Sequence, residues 1–181
     1  MDVRTMCLGL LVKQEATGYE IKKAITNGHA SIFYDASLGA IYPALNRLTE
    51  DGLVTCEELS QDKRPDKKVY RITTKGMNTF EMALLQPPTA DKFRSDFLAA
   101  MFFCGQMPES RLVEILDERE EFHADRLAAL KELEQESQSV GETFLTRYAM
   151  MYHASNVQFL KENRYLLEAD QNEDDNAEAV Q

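Results

Sequence analysis

Residues Ser37-Leu38-Gly39-Ala40-Ile41-Tyr42-Pro43-Ala44-Leu45-Asn46-Arg47-Leu48-Thr49-Glu50-Asp51-Gly52-Leu53-Val54 decide the fold of this chain. Leu38, Ile41, Leu45 and Leu48 recur at three- and four-residue steps and define one buried stripe of a helix. Ser37 is placed to cap that helix, because its hydroxyl can accept from an otherwise unpaired N–H of the first turn. About 100° per residue leaves Gly39, Ala40, Pro43, Asn46, Arg47 and Glu50 on the opposite face. The start of that face is small and nearly uncharged. A solvated helix carries Lys and Glu there more often, whereas a helix that enters a DNA groove needs small residues where backbones approach. Gly52 stops the helix, and Leu53-Val54-Thr55 begins a strand pattern. Periodicity alone fits equally an ordinary surface helix kinked at Pro43.

The flanks break the tie. Met6–Val12 is almost continuously apolar and suits a buried helix of about three turns, Ala16-Thr17-Gly18 a turn, and Tyr19–Ile25 a second helix. With the capped third helix they make a helix-turn-helix. Downstream, a strand from Val54 to Leu59, a polar loop over 60–68 and a strand from Val69 to Thr73 make a hairpin. The loop holds Lys63, Arg64, Lys67 and Lys68, a basic tip able to reach phosphates beside a groove. A charged tip is also what any solvated hairpin carries, and its order after a helix-turn-helix favours phosphate contact.

Three motifs in this order and spacing, Thr17-Gly-Tyr-Glu-Ile, Gly39-Ala-Ile-Tyr-Pro through Gly52-Leu-Val, and Lys67-Lys-Val-Tyr-Arg-Ile-Thr-Thr-Lys-Gly, make roughly the first 85 residues resemble the PadR family of bacterial transcriptional regulators. The resemblance implies a winged helix-turn-helix whose third helix enters the major groove. Gly39, Tyr42, Pro43 and Asn46 become its groove residues. Tyr42 sits at the edge of the stripe, where it can reach a phosphate or serve as a half-buried core tyrosine. Arg47 can meet DNA or pair with Glu50 or Glu20. Tyr19 and Ser37, at the starts of the second and third helices, lie where helix N-termini bind anions, with plain capping as the alternative for Ser37.

Charge divides the chain in the same place. Residues 1–90 carry eleven Lys and Arg against eleven Asp and Glu, whereas 91–181 carry nine against twenty, so the whole net charge of −11 lies in the second half. Phosphate binding rests on Lys and Arg releasing counterions, and a neutral reading half offers few such contacts per subunit. Affinity is therefore expected to need two subunits.

The second half can pair them. From Pro108 to about Ser137 no Gly or further Pro occurs, and Leu112, Ile115, Leu116, Phe122, Leu127, Leu130 and Leu133 fall on one helical face. A run from Val140 repeats the pattern with Phe144, Tyr148, Met151, Ser155 and Phe159. Helices of about 30 residues would be roughly 45 Å long, with apolar faces that need a partner. An antiparallel hairpin packed on a second copy supplies one, and a self-contained helical domain is the alternative. In length and pattern this half is similar to PadR relatives with a virulence-activator-type extension and coiled-coil dimerisation.

The expected fold is mainly α with a small β-hairpin. Residues 1–87 form the winged helix-turn-helix and 88–168 the long-helix dimerisation domain, joined at Pro87-Pro88. Residues 169–181 form an acidic, disordered tail. The expected function is sequence-specific binding of double-stranded DNA at a two-part operator by a homodimer, in the sense of a repressor. A winged-helix protein-interaction adaptor that binds no DNA is the rival reading. Phe93, Phe97, Phe102, Phe103, Met150 and Tyr152, with the aromatic residues of the last run, could line a pocket for a small-molecule effector of unknown identity, or be plain core. No cofactor, metal site or enzymatic motif is expected. Cys7, Cys56 and Cys104 lack metal spacing and suit buried thiols in a cytoplasmic protein. His29, His123 and His153 are few and scattered. No apolar run approaches the 20 or so residues of a membrane span.

Overall fold

The computed structural model describes residues 1–33, 38–61, 64–91 and 93–167. Ser37, Lys63 and the acidic 169–181 segment lie outside the described residues. The chain divides into two compact units, Met1–Ala90 and Asp91–Gln181. Among the described residues no helix is long and apolar enough to cross a membrane.

The first unit opens with α1 (Val3–Lys13), capped by Asp2, whose carboxylate accepts from Thr5 N at 2.9 Å. Helix α2 (Gly18–Asn27) starts with a capping box: Thr17 accepts from Glu20 N, and the Glu20 carboxylate accepts from Thr17 N at 2.7 Å. Helix α3 (Leu38–Glu50) runs on through Pro43. It ends as a Schellman motif, with Leu53 N donating to Leu48 O, Gly52 N donating to Thr49 O, and Gly52 at φ +68°. That left-handed turn aims Leu53 and Val54 back under the helix, where both are buried.

Three antiparallel strands follow a β1-β3-β2 order: β1 (Ala16–Thr17), β2 (Val54–Gln61) and β3 (Arg64–Ile72). Two expectations change here. Ala16 and Thr17 are not merely a turn, because they pair with Tyr70 and Val69 as an edge strand. The polar loop also shrinks: Glu58 pairs with Lys68 and Leu59 with Lys67, so both lysines lie in β3. Cross-strand opposite charges support a ladder as well as apolar pairs do when both faces meet water. Helix α4 (Thr74–Leu84) closes the unit, and Thr73 both caps it and donates to the Gly52 and Leu53 carbonyls. Cys7, Leu8 and Leu11 of α1, Ile21 and Ile25 of α2, Ile41, Ala44, Leu45 and Leu48 of α3, and Leu53, Val54 and Tyr70 share one core.

The second unit holds α5 (Asp96–Phe102), α6 (Glu109–Gln135) and α7 (Val140–Asn163). Pro108 stands at the N-cap of α6 and Ser139 caps α7, so the short 136–139 link folds the two long helices into a hairpin. At 1.5 Å per residue they are about 40 and 36 Å long. Arg147–Glu134 at 2.6 Å and Arg164–Asp117 at 2.8 Å tie its two ends. Leu112, Leu116 and Leu160 form its small core with Phe97, Met101 and Met107. Of the three thiols only Cys7 is buried, which pushes it up to about 12; Cys56 and Cys104 are half-buried, so the expectation of three buried thiols is corrected.

Candidate nucleic-acid interface

Helix α3 presents two chemically distinct sides. Ile41, Ala44, Leu45 and Leu48 are buried against α1 and α2, which fixes its rotation. Gly39, Tyr42, Pro43, Asn46, Arg47 and Glu50 face solvent, and Ala40 is half-covered. The exposed side therefore starts small and carries one amide and one guanidinium. Among the described residues Arg47 has no carboxylate partner, neither Glu50 nor Glu20. An exposed guanidinium without an internal acceptor keeps all five donors for an external one.

Tyr42 is 49% exposed and packs its ring against the start of α2, where Gly18 is buried. Tyr19, the next residue, is 67% exposed. Glu20 stands in the same corner, its carboxyl held below the ordinary value first by the Thr17 N–H and then by the Thr17 hydroxyl. Its other oxygen lies 3.8 Å from Lys67 Nζ. Lys68 binds Glu58 at 2.9 Å, a contact that raises the ammonium above its ordinary value. Arg71 is engaged by Glu15 and by Glu57 at 3.0 Å. Lys67, Lys68 and Arg71 on β3 thus have exposed carboxylate partners, in pairs that solvent screens to little net worth. Phosphates can displace such partners. Arg64 opens β3. Lys22 and Lys23 on α2, which sequence reasoning passed over, have no carboxylate partner among the described residues.

In the second unit the aromatic stripe of α7 is not its hairpin face. Thr146, Ala149 and Leu160 are buried with half-buried His153 and Asn156, a row of smaller residues that lets α6 approach. Phe144, Tyr148, Met151 and Phe159 point outward at 72, 60, 56 and 62% exposure. Phe144, Tyr148 and Met151 line an open groove of about 710 Å³ with Val140, Thr143 and Arg147 near the hairpin turn. On α6 the expectation is corrected in part: Leu112, Leu116 and Leu130 are buried within the chain, so they assemble the hairpin and present no surface. Leu127 is half-buried and Phe122 remains 42% exposed, flanked by the guanidiniums of Arg119 and Arg126 at 5.1 and 5.7 Å from its ring centre.

The hairpin also joins two histidines that looked scattered. His123 and His153 stand 15 residues before and after Gln138, and their Nδ1 atoms lie 2.8 Å apart. His123 is fully buried and pushed down to about 4, first by burial, then by Arg119 and His153. Among the described residues no group of three or more metal-ligating side chains gathers.

Comparison with known proteins follows this division. Residues 7–82 match the family described as transcriptional regulator PadR-like. Residues 93–168 match the virulence activator alpha C-terminal family. The negative transcriptional regulator PadR of Bacillus subtilis strain 168 is 30% identical over 97 residues, 53% of this chain and about half the length of that relative, 53%. The structure of smu.1604c from Streptococcus mutans UA159 is 30% identical, with a TM-score of 0.80 over 91% of this chain and 99% of that one. The PadR-like transcriptional regulator BC1756 from Bacillus cereus is 28% identical, with a TM-score of 0.81 over 93% of this chain and 99% of that one. The Bacillus subtilis PadR has been solved in complex with operator DNA and shares the fold at 21% identity and a TM-score of 0.79, covering 91% of this chain and 98% of that one. It has also been solved with p-coumaric acid.

Proposed function

Because the chain belongs to the PadR-like family of transcriptional regulators, we propose that it binds a two-part operator in double-stranded DNA as a homodimer, with α3 of each subunit in a major groove. The observation that carries this reading is the solvent face of α3, where Gly39, Tyr42, Pro43, Asn46 and Arg47, which has no carboxylate partner among the described residues, stand together on a helix locked by its own core. Gly39 and Pro43 keep the approach low. Asn46 suits the adenine edge and Arg47 the guanine edge, each able to make two hydrogen bonds there. Tyr42 and Tyr19 reach phosphate beside the groove. Lys67 and Lys68 exchange Glu20 and Glu58 for phosphates, with Lys63, Arg64 and Ser37 as further backbone contacts.

Residues 1–87 read DNA and 88–168 dimerise in this account, with the outward stripe of Phe144, Tyr148, Met151 and Phe159 meeting its copy. An aromatic-rich face that its own hairpin does not cover is the form a two-fold interface takes. Repression in the cytoplasm is the expected sense. A small-molecule effector is proposed as a class only, on the analogy of the p-coumaric acid complex of the Bacillus subtilis protein.

The test is a titration of a duplex enriched by the purified protein from a random library. Arg47→Ala is expected to weaken binding by about 1–3 kcal/mol, roughly 5- to 150-fold, and to relax preference at one position of each half-site. Unchanged affinity and preference would remove α3 from the groove.

A further inference from the structure

Gly18 carries an unused possibility, because the Tyr42 ring lies where a side chain would be. A methyl group there would stand 2.7 Å from Tyr42 Cε1 and 3.4 Å from Cδ1 and Cζ. Gly18 is the first residue of α2, and its φ lies outside the left-handed region. Its backbone therefore needs no glycine. What the position uses is the missing side chain.

Two restraints hold that floor in place. Ala16 and Thr17 immediately before it are paired with Tyr70 and Val69 of β3, and the Thr17–Glu20 capping box fixes the first turn after it. Gly18 itself is buried. The ring above it is half-exposed and hangs from the solvent side of α3. Ring and floor are thus unequal, and a methyl at position 18 moves the ring.

We propose that Gly18 is a positioning residue for DNA recognition, leaving the space that seats the Tyr42 ring and holds its hydroxyl at the phosphate-facing edge of α3. The inference rests on the reading of α3 as the groove helix. It adds a residue that touches no DNA and acts only through Tyr42. It also separates binding from folding: the ring can swing into solvent, and alanine is the better helix former, so Gly18→Ala leaves the fold intact.

A double-mutant cycle tests this, with Gly18→Ala, Tyr42→Ala and both together measured on the selected duplex, each variant also followed by thermal melting. Loss of one hydrogen bond to a charged phosphate predicts roughly tenfold weaker binding for each single variant. The double variant is expected to bind no more weakly than Tyr42→Ala, and all melting midpoints to stay within a few degrees of the parent. If Tyr42→Ala binds normally, the placement of Tyr42 at the DNA fails, and the inference with it. If Tyr42→Ala weakens binding but Gly18→Ala does not, only the inference fails. It also fails if the two losses multiply, because Gly18 would then act independently of the ring.

Discussion

At Gly76 the absence of a side chain holds the wing against the helix that follows it. A methyl there would stand 2.1 Å from the Leu53 carbonyl oxygen, a backbone atom already accepting from Thr73 N and Thr73 Oγ1. Neither partner can swing away, unlike the ring over Gly18. Gly76→Ala is expected to destabilise the first unit by about 1–3 kcal/mol, the usual cost of overpacking, seen as a lower urea midpoint with an unchanged slope. A midpoint equal to the parent's would show that α4 can shift on Leu53. The residue scale also shows what the sequence conveys and what it hides. Ile41, Leu45 and Leu48 were legible as a stripe because periodicity determines burial in a short amphipathic helix. The roles of Gly18 and Gly76 were not, since a close approach between segments far apart in the chain leaves no local pattern. Arg47 was legible only as an outward cation. That neither Glu20 nor Glu50 pairs with it depends on where those carboxylates come to lie.

Among the elements, the α6–α7 hairpin follows its sequence reading in outline and departs from it in which side chains form the seam. Both stripes of α7 step by three and four residues, and the sequence points to the more aromatic one, with Phe144, Tyr148, Met151 and Phe159, as the face that meets a second copy. The hairpin itself uses Thr146, Ala149 and Leu160, which allow closer packing. The wing departs for another reason, since charges on a two-sided polar ladder look like loop until their cross-strand partners are known. The same hairpin register brings His123 to His153, with Arg119, Arg126, Phe122 and Tyr152 around them. Both rings are depressed below the ordinary histidine value, by burial first, so the folded hairpin holds them neutral. Their contribution is complete above the unfolded value near 6.5 and is lost as pH falls, down to about 4 for His123. Between pH 7 and 5 the parent's urea midpoint is therefore expected to drop more than that of His123→Gln, which cannot take up this proton. Parallel pH profiles would show that other groups account for the acid loss.

Over the whole molecule, a neutral reading unit is joined to a unit carrying all the net negative charge. A neutral unit whose Lys67 and Lys68 already face carboxylates holds few phosphates, so a single copy is weak and two copies on one duplex gain through effective concentration. The outward face of α7 is what makes two copies in this account. Methylation protection at guanine N7 of the selected duplex, with parent protein and with Tyr148→Glu, tests that account most directly, because N7 lies in the major groove. The parent is expected to protect two clusters of guanines separated by one helical turn, about 10–10.5 base pairs, or a multiple of it, and Tyr148→Glu to lose both together at the same protein concentration. A single cluster, no major-groove protection, or full protection by a Tyr148→Glu protein would contradict it.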